Sequence, residues 1–253
     1  MRIGNKVWHV LAAALGLLGP AVSGAAARAE PVDVELVLAV DVSSSVDWTE
    51  FGLQMRGIAA AFREPDLHAT LREGRHGAIA VVLVQWAGPA MQQVVVDWQR
   101  IGDAAAAERF ANAIDATSRS FPTGGTAIAE ALDFVAPLFD GNGFEGDRRV
   151  VDISGDGRAT AGTAPGAARD RIVARGVTVN GLAILNDEPD LVDYYEGELI
   201  GGQAAFVQPA SDYADFADAL RAKLLREVRG GWYGAGRLDA GDIHVAGRAT
   251  AVR

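Results

Sequence analysis

The chain contains no cysteine. That excludes disulfides, thiolate metal sites, a lipid-modified cysteine anchor and a cysteine nucleophile together. A fold kept in an oxidising compartment must then rest on core packing alone. Lysine is almost as scarce: beyond Lys6 there is only Lys223, inside a segment of helical periodicity. The common signatures of catalysis and nucleotide binding are missing as well. No Gly-x-Ser-x-Gly elbow accompanies His68, His76 or His244, which removes the usual serine hydrolase. No Gly-x-Gly-x-x-Gly or P-loop follows an expected strand, which removes the common nucleotide folds. Basic residues are outnumbered, 23 against 33 acidic, for a net charge of −10. Nucleic acid and anionic lipid would be repelled by such a chain.

Long hydrophobic runs are absent too, except at the start. Arg2 and Lys6 precede an apolar stretch from Val7 to Leu18, broken by Gly19-Pro20, and Ala27-Arg28-Ala29 has the small-x-small form of a cleavage site. Residues 1–29 therefore read as a secretory signal peptide, with a retained N-terminal anchor as the alternative. No other window approaches the length of a membrane span. The expectation is a periplasmic or extracellular protein with no membrane span in its mature chain. Residues 30–229 are enough for one α/β domain with a sizeable core, and 230–253 form a glycine-rich tail of little periodicity.

What is present is an alternation. Leu36 to Val40 is an apolar run of buried-strand length. Asp47 and Glu50 have capping-box spacing, and Phe51, Met55, Ile58 and Phe62 then recur at helical spacing until Pro65. Residues 77–86 read as a central strand, Ala87-Gly88-Pro89 as a turn, and Met91 to Trp98 as an antiparallel edge strand. Trp86 and Trp98 read as packing residues at sheet margins. A helix from Asp103 to Thr117 and the polar loop Phe121-Pro122-Thr123-Gly124-Gly125-Thr126 follow, then a helix starting at Thr126 with Pro137 distorting its last turn. Strands at 148–154, 177–185 and 204–208 alternate with helices at 165–175, 190–200 and 213–228. Such alternation argues for a doubly wound, mostly parallel sheet with helices on both faces and one antiparallel edge strand.

The stretch Asp41-Val42-Ser43-Ser44-Ser45 closes the first strand and opens the first helix. Ligands of open α/β sheets bind at that carboxyl edge. One carboxylate and two hydroxyls spaced i, i+2 and i+4 are hard oxygen donors, suited to magnesium, manganese or calcium. Loops after parallel strands share one rim, so Thr126 of the Gly-Gly-Thr loop and Asp156 of Gly155-Asp156-Gly157 are expected to converge there. Taken singly, Ser45 or Asp47 and Thr126 could be no more than helix caps.

Asp41-x-Ser43-x-Ser45, Thr126 and Asp156, in this order, resemble the metal-ion-dependent adhesion site of von Willebrand factor type A domains, over about residues 33–228. Secreted bacterial members of that family are similar in layout. One departure stands out: where members of the family usually carry Thr-Asp-Gly, this chain has Ser154-Gly155-Asp156-Gly157. Asp152, inside the strand, is thereby an alternative second acid, although Asp156 has the loop position.

The resemblance implies a divalent cation, magnesium foremost with manganese or calcium as alternatives, held by Asp41, Ser43, Ser45, Thr126 and Asp156. It also implies a protein partner that offers an Asp or Glu carboxylate, and binding without catalysis. Competing readings are a magnesium-dependent phosphatase of haloacid-dehalogenase type and a metal-independent assembly protein. The phosphatase would need a second Asp where Ser43 stands, and a suitable lysine. Trp48 and Phe121 flank the motif loops and read as packing residues, with an apolar rim for a partner as the alternative. Asn186, Asp187, Glu188 and Asp190 read as a solvated loop on the same rim, and Arg169, Arg171 and Arg175 as a solvated helix face.

Overall fold

A computed structural model of the chain describes residues 28–230. The expected signal peptide, apart from its last two residues, and the glycine-rich tail beyond Gly230 lie outside them. In order, the elements are β1 (Glu30–Asp41), α1 (Trp48–Arg63), α2 (Pro65–Arg72), β2 (Ile79–Trp86), β3 (Gln92–Ile101), α3 (Ala104–Asp115), α4 (Ile128–Val135), β4 (Phe144–Gly155), α5 (Pro165–Val173), β5 (Val177–Ile184), α6 (Leu191–Tyr194), β6 (Val207–Ala210) and α7 (Phe216–Arg229). A 3-10 turn at Ala136–Phe139 follows α4, where Pro137 removes a donor from the ladder, and a π-helical segment at Tyr195–Leu199 continues α6.

The strands form one sheet in the order β3-β2-β1-β4-β5-β6. All neighbours are parallel except β2 and β3. This is the expected doubly wound sheet with one antiparallel edge strand. β1 is its centre, and every residue from Val32 to Asp41 is buried because helices cover both faces. One face carries α1, α3 and α7, whose stripes Phe51, Met55, Ile58 and Phe62, then Phe110 and Ile114, then Phe216, Leu220 and Leu224 meet in a single core. α4, α5 and the α6 segment cover the other.

Several boundaries differ from the sequence reading. Pro65 ends α1, as expected, but also starts α2. The residue before a proline is pushed out of the helical region, while proline itself suits the first turn of a new helix. Leu67 and Leu71 anchor that short helix in the core. β6 lies at 207–210, later than expected, and tolerates Pro209 because it is the sheet edge. Trp86 is fully enclosed, whereas Trp98 packs half-buried on the edge strand against Phe139 and Phe144. Arg171 and Arg175 reach Asp133 and Asp140 across the surface, as a solvated face does.

Asp47 is the N-cap of α1 in a reciprocal capping box: its carboxylate accepts from Thr49 and Glu50 N–H, and Glu50 accepts from Asp47 N–H. Asp47→Ala is expected to cost ~1 kcal/mol of stability in urea denaturation, the usual worth of such a cap. α1 should lose this without any other element changing.

Candidate metal centre

Asp41 is the last residue of β1, and its side chain is fully buried. Ser43 N–H donates to Asp41 Oδ1 at 2.7 Å, which curls the chain back on itself directly after the strand. Gln54 of α1 donates to the Asp41 carbonyl at 3.1 Å. Arg119 donates to the carbonyls of Val42 and Ser43 at 3.0 and 2.7 Å. The guanidinium thereby fixes the backbone of the turn that carries the hydroxyls of Ser43 and Ser45.

The Gly-Gly-Thr loop reaches the rim differently from the sequence expectation. It follows α3 and not a strand, and is drawn in by hydrogen bonds to the other loops. Ser44 N–H donates to Gly124 O, and Gly124 N–H donates back to Ser44 Oγ, both at 2.9 Å. Ala127 N–H donates to Ala87 O, just past β2, at 2.9 Å. Gly124 has φ +143°, and a Cβ there would stand 2.9 Å from Met91 Sδ and 3.1 Å from Gly88 N. Thr126 is pinned by Thr160: its N–H donates to Thr160 Oγ1 at 2.9 Å, and its carbonyl accepts from Thr160 N–H at 3.0 Å. Thr126 is not the cap of α4; Ala127 holds that position without a side-chain bond.

All five singled-out side chains come together. Ser43 and Ser45 Oγ are 3.2 Å apart, Thr126 Oγ1 is 3.4 Å from Ser43 Oγ, and Ser45 donates to Asp156 Oδ1 at 2.8 Å. Asp156 Oδ2 accepts from the Tyr213 hydroxyl at 2.9 Å. Asp41 Oδ2, by contrast, is buried with no hydrogen-bond partner among the described residues. Burial, then the charge of Asp156, raises the Asp41 carboxyl to about 7 against the opposing pull of the Ser43 bonds and Arg119. Two acids enclosed together with one oxygen orphaned form a locus that favours a positive charge.

The donor set fits a hard divalent cation. All of its atoms are oxygens, and neighbouring ligands of an octahedral ion with bonds of ~2.1 Å are ~3.0 Å apart. The hydroxyl spacings of 3.2 and 3.4 Å lie close to that edge.

Other polar residues near these loops are accounted for elsewhere. Asp152 lies in the core 2.7 Å from Lys223 Nζ, which also stands 2.5 Å from Glu227. Glu188 and Asp190 are gripped by Arg158 at 2.6 and 2.7 Å, so this loop is tied down rather than freely solvated. Phe121 packs on the core, but Trp48 is 65% exposed, contrary to the packing expectation, with Arg119 over its ring at 5.3 Å. Asp33, His76 and Asp147 cluster at the opposite, amino edge of the sheet. Asp33 there accepts backbone N–H bonds from His76 and Ala78, and Arg75 stands 3.6 Å from Asp147, which already balances the charge. The run Gly141-x-Gly143-x-x-Gly146 leads into β4 instead of leaving a strand, so it forms no phosphate cradle. Arg119, Gln54, Tyr195 and Tyr213 escaped the sequence reading. Tyr213 falls at the start of the last helical segment, and none of the four carries a local signal of its role.

The pattern of the family described as "Protein of unknown function (DUF1194)" matches residues 31–232. The chain belongs to that family. No curated protein matches the chain. Among solved structures, its fold is that of von Willebrand factor type A domains. The domain of that name from Catenulispora acidiphila is 18% identical with a TM-score of 0.55, over 78% of this chain and 43% of that one. Proximal thread matrix protein 1 from the mussel byssus, in a structure described as having a zinc-occupied MIDAS motif, is 19% identical with a TM-score of 0.54, over 80% and 49%. The open conformation of the pilus adhesin SpaC from Lactobacillus rhamnosus GG is 15% identical with a TM-score of 0.56, over 81% and 31%. The chain thus spans about half the length of the mussel protein and less of the other two.

Proposed function

We propose that this chain is a metal-dependent recognition domain, exported from the cytoplasm, that binds a protein partner and catalyses nothing. Ser43, Ser45 and Thr126 would hold a divalent cation through neutral hydroxyls, with Asp41 and Asp156 orienting them from behind. Neutral donors leave a bound cation electrophilic, and that is the chemistry it would supply: an attachment point for an Asp or Glu carboxylate of the partner. The observation that carries the reading is the buried, unpartnered Asp41 Oδ2 beside three hydroxyls and a second acid within one rim. The zinc-occupied motif of the mussel protein and the adhesin nature of the pilus protein agree with a metal-dependent, adhesion-type domain. The all-oxygen donor set favours magnesium or manganese over zinc for this chain. Export is supported by the leader-like start, and no helix among the described residues is long and apolar enough to cross a membrane.

The phosphatase reading draws no support from the residues present. Ser43 stands where it needs an acid, and Lys223 is enclosed between Asp152 and Glu227. Manganese provides the test, because water on bound Mn2+ enhances the relaxation of solvent protons. Addition of a peptide with an accessible glutamate to the Mn2+-loaded protein is expected to lower that enhancement as the carboxylate displaces water. A glutamine peptide should leave it unchanged. Equal responses to the two peptides would count against carboxylate recognition.

A further inference from the structure

Gly155 stands at the end of β4, immediately before Asp156, at the position where the sequence departs from the family's usual pattern. A Cβ on it would lie 2.9 Å from the Tyr195 hydroxyl oxygen and 3.1 Å from Asp41 Oδ2. These two oxygens therefore flank the same bare α-carbon. Both are buried, and neither has a hydrogen-bond partner among the described residues. Tyr195 opens the π-helical segment that continues α6, a widening of the helix that recurs at functional positions. Its ring lies over a second glycine, Gly181 of β5, where a Cβ would be 2.7 Å from Tyr195 Cδ2. Glycines on adjacent strands thus open a slot that this one phenol fills. A phenylalanine would fill it without burying a hydroxyl, and an unpaired buried hydroxyl is costly. The hydroxyl is at the tip of the ring, beside the one orphaned carboxylate oxygen of the candidate metal centre.

We propose that Tyr195 is a positioning residue for Asp41: its hydroxyl donates to Asp41 Oδ2, directly or through one water, and fixes the carboxylate in the orientation that serves the cation. The proposal rests on the cation-site reading above. Gly155 is its counterpart, since any side chain there would crowd both oxygens. Tyr213 already serves Asp156 in this way, by a direct bond of 2.9 Å. Each acid of the centre is then matched to one phenol, Tyr195 on the segment that follows β5 and Tyr213 on the one that follows β6. A phenol suits the task because it donates to a carboxylate without bringing a positive charge to compete with a cation.

The test uses the full chain, with Mn2+ titrated calorimetrically and the cation-free protein melted in parallel. Tyr195→Phe is expected to lower Mn2+ affinity at least tenfold while the cation-free Tm stays the same or rises. Gly155→Ala is expected to lower the affinity as well, and the double variant should be no weaker than the worse single one, as for two changes that break one contact. Wild-type affinity in Tyr195→Phe, with Mn2+ binding normally to the parent, would overturn the proposal alone. So would a loss of affinity that merely tracks a loss of cation-free Tm, as a packing residue would give. Absence of Mn2+ uptake by the parent protein would overturn the cation site and this proposal together.

Discussion

Asp41→Asn is expected to make the cation-free protein more stable at pH 8, by up to ~4 kcal/mol, while removing its cation uptake. Burial and the charge of Asp156 hold the Asp41 carboxyl at about 7, against 3.8 for a free aspartate. A group whose value is raised on folding costs the native state nothing below about pH 4, where it is protonated both folded and unfolded. The cost grows as pH rises and is complete once the carboxylate is ionised above pH 7. Asparagine removes the charge and keeps an oxygen for the Ser43 N–H bond. The stability gain should therefore be full at pH 8 and vanish near pH 4. Urea denaturation at the two pH values reads it directly. A divalent cation should stabilise the parent at pH 8 and leave the variant unmoved, because ligand bound only by the native state adds stability by mass action. A variant less stable than its parent at pH 8, or one still stabilised by the cation, would contradict the assignment of Asp41.

The second large effect lies in the core. Lys223→Ala is expected to lower the unfolding free energy by ~3–5 kcal/mol, since removing one partner strands buried charge. Lys223 is fully buried on α7, 2.7 Å from Asp152 and 2.5 Å from Glu227. The contact with Asp152 is an ion pair by distance and not an aligned hydrogen bond, whereas Glu227 also accepts from Asn180 at 2.8 Å. Burial raises the Asp152 carboxyl and Lys223 opposes that rise. Without the lysine, Asp152 should take up a proton more readily, so the stability deficit should shrink as pH falls. Replacing Asp152 by asparagine alongside Lys223→Ala should recover part of the loss. Cation affinity of the folded fraction should be unaffected, which separates Asp152 from the metal centre. Reduced Mn2+ affinity in Asp152→Asn with the fold intact would instead make Asp152 a member of the site.

Much of this was legible in the sequence for local reasons. Leu36 to Val40 reads as a strand because a central parallel strand needs apolar residues on both faces. Asp47 and Glu50 announce α1 because a capping box is a local device. Asp41, Ser43 and Ser45 share one turn, so their convergence follows from spacing. What the sequence did not disclose depends on contacts between distant segments. The Gly-Gly-Thr loop follows a helix, and Thr126 is brought to the rim by bonds that its loop makes to Ser44, Ala87 and Thr160, each distant in the chain. Arg119 holds the Asp41 turn from 76 and 77 positions away in the chain. Tyr213 sits in an apolar stripe, where nothing local reveals that its hydroxyl reaches Asp156. Gly155 looked like an irregularity of the motif, and only the neighbouring Tyr195 and Asp41 give it a steric reason. The exposure of Trp48 was not legible, because helix periodicity does not say whether the first turn projects past the body it packs on.

The most direct measurement is the anomalous diffraction of a crystal grown or soaked with Mn2+. A single strong peak at bonding distance from Ser43 Oγ, Ser45 Oγ and Thr126 Oγ1, with Asp41 and Asp156 close behind, is the expected result. No peak at that rim, or a peak only among Asp33, His76 and Asp147 at the opposite edge, would contradict it.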